Sequence, residues 1–235
     1  MTILNFKFLR NFYARLTPQQ FAFVDFVLDV IVIVLVVLLL IKPFLFAPFR
    51  VQQESMMPNV RDGEYIITWK LPYHDLLGWR EYARNDIVVF QAANNAKHYL
   101  IKRIIGLPGE TLRIHAGQVW IKAQGAEDFV ALEEDFLYSK SETCLATNFC
   151  SQADKERKND FVIPAGEYFV LGDNRNRSRD SRSCFQGVCQ TDADHFLDHK
   201  EIDGKVILTF GRYLKNNEPF YKFWGKISFR DVRSF

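Results

Sequence analysis

VIVIVLVVLLLI, Val30 to Ile41, constrains this chain more than any other stretch, because twelve apolar residues stand there without a break. Twelve is short of the roughly 20 that a bilayer-spanning helix needs. Adding Phe21 to Leu28 upstream reaches that length and takes in Asp25 and Asp29. These acids are four apart, so they share one helical face near the entering end, at headgroup level or against a partner. Lys42 and Pro43 close the downstream end, and Pro43 ends or kinks a helix. The run predicts one transmembrane helix over residues 21–42. Residues 1–20 carry Lys7, Arg10 and Arg15, which puts them on the cytoplasmic side and leaves residues 43–235 outside. A cleaved leader would need small residues spaced for cleavage after the run. KPFLFAPF offers bulky aromatics and prolines instead, so the anchor is expected to stay uncleaved.

The 235 residues suffice for one sizeable core, or for one domain with a large insertion. Lys+Arg 30 against Asp+Glu 28 leaves a net charge of +2, which gives no electrostatic case for nucleic acid as a partner. Many of the 22 phenylalanines flank the oily run or fall in EPFYKFWGKISF, where rings suit either a core or a membrane interface. The four cysteines fall in two close pairs, Cys144 with Cys150 and Cys184 with Cys189. Outside a membrane, an even count in tight loops reads as two local disulfides. A zinc site is the alternative. Neither pair has the two-residue spacing usual for one, and His195 and His199 stand near only the second pair.

After the anchor the pattern is strand-like. EYIITW (64–69), DIVVFQ (86–91), HYLIKRIIG (98–106), TLRIHAGQVWIK (111–122), EYFVLG (167–172) and GKVILTFG (204–211) are short runs rich in β-branched and aromatic residues, bounded by turn residues. No long stretch after residue 45 repeats apolar residues at helical spacing. RIHAGQVW carries a Gly-Gln turn between two runs, which predicts a hairpin. Residues 124–159 are charged and poor in strand pattern, and they hold the first cysteine pair. They read as an insertion beside the core, with KERKND as a solvated linker.

QQESMMPNV, just past the anchor, sets Ser55 between Glu54 and two methionines. A serine hydroxyl is a weak nucleophile and needs a group to take its proton. The five histidines (His74, His98, His115, His195, His199) sit beside no carboxylate in a recognisable catalytic setting, although a serine–histidine–aspartate arrangement in space stays open. Lysine is the other candidate, in YLIKRIIGLPGE. Strand alternation groups Lys102 with Leu100 and Ile104, against Tyr99, Ile101, Arg103 and Ile105. A lysine among aliphatic side chains loses hydration, which disfavours its charged form. Bringing a lysine from 10.4 to about 7–8 asks roughly 3–5 kcal/mol of desolvation. The bland alternative is a lysine whose head reaches solvent. GDNRNRSRDSR (172–182) follows the apolar strand YFVL and is dense in hydrogen-bonding groups. Asp173 and Asp180 can pair with Arg175 and Arg182, leaving Ser178 to orient a neighbour. Taken alone it is equally a solvated charged loop.

Taken together, SMMP after an anchor, then YLIKRIIGLPGE, then GDNRNRSRDSR, the chain resembles bacterial type I signal peptidase, a membrane-anchored serine–lysine protease. The resemblance covers most of residues 20–212, and its last motif is the specific one. It implies an all-β fold, an antiparallel-sheet catalytic domain with an inserted second lobe at about 115–162, preceded by the single transmembrane helix. It implies a bacterial inner-membrane location with the catalytic domain on the periplasmic side, signal peptides of exported preproteins as substrates, and neither metal nor cofactor. By the same resemblance Ser55 is the nucleophile, Lys102 the general base, and Ser178 the serine that hydrogen-bonds the lysine. Asp180 and Arg182 buttress the site. Phe49, Val51, Met56, Val60, Leu100 and Ile101 would line the cleft for small side chains, and Cys144 with Cys150 resembles an inserted-lobe pair.

The chain departs from the family at three positions. Gln53 stands where a serine or threonine often helps bind the oxyanion, Glu54 where a glycine is usual, and Asn59 where a threonine is common. These changes bear on rate and oxyanion geometry more than on reaction type. A self-cleaving repressor-type protease also uses serine and lysine, but it would carry a DNA-binding domain where this chain has its anchor. A non-enzymatic rival is an anchored β-domain with a decayed site that binds an envelope partner.

Overall fold

The computed structural model describes residues 17–41, 45–70, 81–91, 98–137, 141–145, 150–185, 189–211 and 229–231. The basic residues Lys7, Arg10 and Arg15, residues 42 and 43, His74, Trp79 and most of the C-terminal aromatic run lie outside the described residues. Two compact units result, Met1–Leu45 and Phe46–Phe235.

The first unit is the helix α1, Pro18–Val36. Thr17 caps it, accepting from the Gln20 N–H while the Gln20 side chain accepts from the Thr17 N–H. Pro18 sits in the first turn, where a missing N–H costs nothing. A π-helical turn, Val37–Ile41, continues it. Pro18–Leu39 is long and apolar enough to cross a membrane. At 1.5 Å per residue its 22 residues span about 33 Å, against about 30 Å of hydrocarbon. Ile31, Val32, Ile33 and Leu39 are exposed, as on a helix that is oily all round.

The second unit is built from antiparallel strands: β1 Phe46–Arg50, β2 Tyr65–Trp69, β3 Ile87–Gln91, β4 Tyr99–Gly106, β5 Thr111–His115, β6 Gln118–Lys122, β7 Val130–Ala131, β8 Asn159–Val162, β9 Glu167–Leu171, β10 Leu197–Asp198, β11 Ile202–Phe210 and β12 Phe229–Asp231. The larger sheet runs β1-β2-β11-β3-β4-β9-β10, with β12 also on β11. The smaller runs β7-β6-β5-β8. In chain order the smaller sheet, 111–162, is inserted between β4 and β9 of the larger one.

β2 and β5 bury alternate residues, as strands with one face on a core do. β3 is buried on both faces. Ile87 and Val89 join Val51, Met56, Val60, Ile66 and Val206 in one cluster. Val88 and Phe90 join Ile104, Tyr168 and Val170 in another. A third cluster unites Ile105, Phe169 and Leu171 of the large sheet with Leu112, Ile114, Val119 and Ile121 of the small one. This sandwiching makes β3, β4 and β9 a rigid platform for side chains at their ends.

Three details differ from the sequence reading. The hairpin turn is Ala116–Gly117, with φ of 54° and 77°, not Gly-Gln. Two successive left-handed residues match the twist of a two-residue hairpin. FAPFR forms β1 despite Pro48, because the strand lies at the end of the sheet order, where a lost ladder N–H is tolerated. KERKND is no linker: Lys155 and Glu156 end the short helix α2, Gln152–Glu156, capped by Ser151, and after Arg157 and Lys158 the strand β8 begins at Asn159. Both cysteine pairs are bridged, with Cα atoms 5.5 Å and 5.3 Å apart.

Candidate active site

β1 delivers the chain to a turn that carries Ser55. The turn is tied back where the Val51 N–H donates to the Glu64 carbonyl and the Gly63 N–H to the Val51 carbonyl. β4 delivers Lys102, whose register partner on β3 is Val88. The two meet: Lys102 Nζ lies 2.9 Å from Ser55 Oγ and 2.9 Å from the Ile101 carbonyl oxygen. Ser55 is 7% exposed and Lys102 3%. Burial brings the Lys102 ammonium down from 10.5 to about 8. That value is the net result: burial is the largest effect, the Asp180 and Asp173 charges raise it and the Arg182 charge lowers it. Among the described residues no histidine hydrogen-bonds Ser55; His98 lines the adjacent cavity without reaching it.

The loop after β9 wraps the pair. The Asn174 N–H donates to the Ser55 carbonyl and its side-chain amide to the Glu54 carbonyl, at 3.0 and 3.1 Å. Gly172 lets the loop pass this close. A Cβ there would collide with Ser178 Oγ and stand 2.6 Å from the Ser55 carbonyl oxygen. The sequence reading did not single out Gly172, and only its place inside GDNR marked it.

Three buried ion pairs hold the loop. Arg182 grips Asp180 through two contacts of 2.9 Å, and its remaining donors reach the Cys144 and Arg175 carbonyls at 2.8 Å. Burial pushes Asp180 up, but the Arg182 charge and hydrogen bonds, together with the Gly172 N–H, leave it below the usual carboxylate range. The second pair differs from expectation. Asp173 is held not by Arg175 but by Arg103 on β4, through two contacts of 2.7 Å. Asn59 donates to the same carboxylate at 2.8 Å and to the Phe136 carbonyl at 2.7 Å. Arg175 turns to the inserted lobe, pairing with Glu134 and reaching Thr143 Oγ1.

Ser178 is a correction. Its hydroxyl is buried and makes no hydrogen bond of ordinary geometry with any described residue, so the implied bond to Lys102 is not made. It still favours the ionised form of the neighbouring Asp180.

A cavity of about 260 Å³ opens beside Ser55 and Lys102. Phe49, Val51, Leu100 and Ile101 line it as expected, and Gln53 stands in its wall. Met56 and Val60 do not. Both are buried in the cluster behind the wall, where Ile66 and Val89 instead reach the surface of the cavity. Tyr99 and His98 also line it, and the Tyr99 ring lies 4.8 Å from that of Phe49. Gln53 adopts φ 91°, which costs a non-glycine residue about 1–3 kcal/mol and is typical of functional turns. Its N–H donates to Asp62 Oδ1 at 2.8 Å.

A hydroxyl within hydrogen-bond reach of a desolvated amine is the arrangement that nucleophilic attack on a carbonyl requires. Residues 24–210 match a family described as signal peptidase, peptidase S26. The chain is 35% identical over 153 residues to a signal peptidase I of Bacillus licheniformis, covering 65% of this chain and 75% of that protein. It is 27% identical over 182 residues to signal peptidase IB of Staphylococcus aureus, covering 77% and 85%. A solved signal peptidase I from Enterococcus faecalis is 29% identical and covers 54% of this chain and 97% of its own, at a TM-score of 0.38.

Proposed function

The chain belongs to the signal peptidase family, peptidase S26, and from that membership we propose that it removes signal peptides from exported preproteins with Ser55 as nucleophile and Lys102 as general base. The observation that carries this reading is the 2.9 Å contact between Lys102 Nζ and Ser55 Oγ in a buried niche.

Neutral Lys102 accepts the Ser55 proton as the hydroxyl attacks the carbonyl that follows a small residue. The oxyanion forms against the Ser55 N–H, with the Gln53 amide as the second donor. Lys102, now charged, protonates the leaving amine, and the acyl-enzyme forms. Water then enters, Lys102 takes its proton, and the signal peptide leaves. With a folded-state value of about 8, roughly a tenth of Lys102 is neutral at pH 7. Asp180 and Arg182 set the field around the amine. Ser178 fills the space over Gly172.

The substrate lies extended, with small side chains in the cavity lined by Phe49, Val51, Leu100 and Ile101. Residues 21–42 anchor the enzyme in the bacterial inner membrane, with residues 1–20 in the cytoplasm and the protease domain on the periplasmic side. The exposed apolar helix over Pro18–Leu39 supports the anchor. The rival reading, a decayed binding domain, has no support among the relatives. The test is processing of an exported preprotein by the purified chain. Ser55→Ala and Lys102→Met each abolish it with the fold intact, and retained cleavage in either variant refutes that residue's role.

A further inference from the structure

The Cys184–Cys189 disulfide closes a short loop two residues after Arg182. Its sulfurs differ in setting. Cys184 is buried and Cys189 is exposed. Cys184 and the following Phe185 adopt φ of 51° and 61°, a left-handed pair that costs about 1–3 kcal/mol per residue. The turn leans on the catalytic loop, because the Phe185 N–H donates to the Asp180 carbonyl at 3.0 Å and the Cys184 N–H to the Ser181 carbonyl at 3.4 Å.

His195 stands over both sulfurs. Its Nδ1 lies 2.5 Å from the Ser181 carbonyl oxygen. A carbonyl only accepts, so Nδ1 carries the hydrogen. The same N–H edge is 3.4 Å from Cys184 Sγ and 3.9 Å from Cys189 Sγ. Phe161 holds the ring edge-on, with centroids 4.9 Å apart. The three groups bring possible ligand atoms within 4.8 Å, but a bridged pair has no thiolate to give a metal. Exchange chemistry is what this cluster offers.

We propose that Cys184–Cys189 is a thiol–disulfide exchange site for a dithiol reductant, and that its opening slackens Asp180 and Arg182 and slows proteolysis. The second half rests on the function proposed above. A thiolate of the dithiol attacks the exposed Cys189 Sγ, forming a mixed disulfide and breaking the bond to Cys184. Cys184 leaves as a thiolate, a far stronger acceptor than a bridged sulfur, and the single His195 Nδ1 hydrogen is then shared between it and the Ser181 carbonyl. The second thiol of the reductant then attacks the mixed disulfide, closes its own disulfide and frees Cys189. Two electrons pass to the protein, and the two protons come from the dithiol. A disulfide oxidant runs the steps backwards and takes the two electrons and two protons. In the other pair Cys144 is buried, as Cys184 is, but Cys150 is only half-buried where Cys189 is exposed, so the Cys189 sulfur is the more open to attack.

The experiment is a dithiothreitol/oxidised-dithiothreitol titration of the full chain in detergent. Thiols are trapped with N-ethylmaleimide and assigned by mass spectrometry, beside cleavage of a signal-peptide substrate. Cys184 and Cys189 label at an equilibrium constant at least tenfold more favourable than Cys144 and Cys150, about 30 mV. In step with that labelling kcat/KM falls about tenfold, and it recovers on reoxidation. His195→Ala slows the opening severalfold. The double variant Cys184→Ser with Cys189→Ser has the low activity and no longer responds to reductant at those potentials. Opening of Cys144–Cys150 first, or of both pairs together, overturns the exchange site. Full labelling of Cys184 and Cys189 with unchanged cleavage overturns the coupling. An oxidised chain that cleaves nothing overturns the serine–lysine reading instead, and the labelling order still decides the exchange site.

Discussion

Lys102 Nζ lies 2.9 Å from Ser55 Oγ, joining two residues that are 47 positions apart in the chain and almost wholly buried. Neither element would bring this about alone. The turn after β1 presents the hydroxyl, β4 presents the amine, and the Gly172 loop closes over both. The niche dries the amine, and its acids keep it from losing its proton altogether.

Lys102 carries a stability cost. The folded chain releases this proton near pH 8, whereas an unfolded one holds it to about 10.5. Below pH 8 the folded state therefore bears the full penalty, about 3 kcal/mol. Between pH 8 and 10.5 the unfolded state binds more protons, so stability climbs with pH. Lys102→Met removes the penalty. Its urea midpoint at pH 7 should rise, by an amount equivalent to about 2–3 kcal/mol, while proteolysis is lost. The gain should shrink as the pH approaches 10.5.

Asp180 and Arg182 act on Lys102 with opposite signs. Asp180→Asn takes away a charge that raises the lysine, so the rising limb of the pH–rate profile moves to lower pH. Arg182→Gln takes away a charge that lowers it, so the limb moves higher. Steady-state kinetics from pH 6 to 10 reads both shifts.

Gly172→Ala puts a methyl group against Ser178 Oγ and the Ser55 carbonyl. Overpacking of this kind costs about 1–3 kcal/mol. Because the displaced atoms belong to the turn of Ser55, the proposed nucleophile, kcat should fall more than tenfold while KM changes little.

Arg103 and Asp173 are 1% and 0% exposed. Asp173→Ala strands a buried guanidinium and should cost about 3–5 kcal/mol in chemical unfolding. Adding Arg103→Met should return most of that, because the stranded charge then leaves as well.

The site was legible where local chemistry suffices. Ser55, Lys102 and the 172–182 loop could be singled out as candidates, their roles came only from the resemblance, and strand alternation grouped Lys102 with Leu100 and Ile104. Six strand runs were readable from β-branched residues. β1 was not, because Pro48 disguises a strand whose position at the end of the sheet appears only in the assembled fold. The Arg103–Asp173 pair joins residues 70 apart, so Arg175, a near neighbour, looked the better partner. Met56 and Val60 sit one layer too deep for the cavity, and Ile66 and Val89 take their place. Depth of that kind is set by how strands stack, which a linear pattern does not carry.

The central claim is that neutral Lys102 removes the Ser55 proton, and the pH dependence of kcat/KM on a signal-peptide substrate tests it most directly. The rate should rise about tenfold per unit below pH 8, bend near 8 and level above it. A profile that is flat through pH 8, or one that bends near 6.5 as a histidine base would make it, contradicts the account.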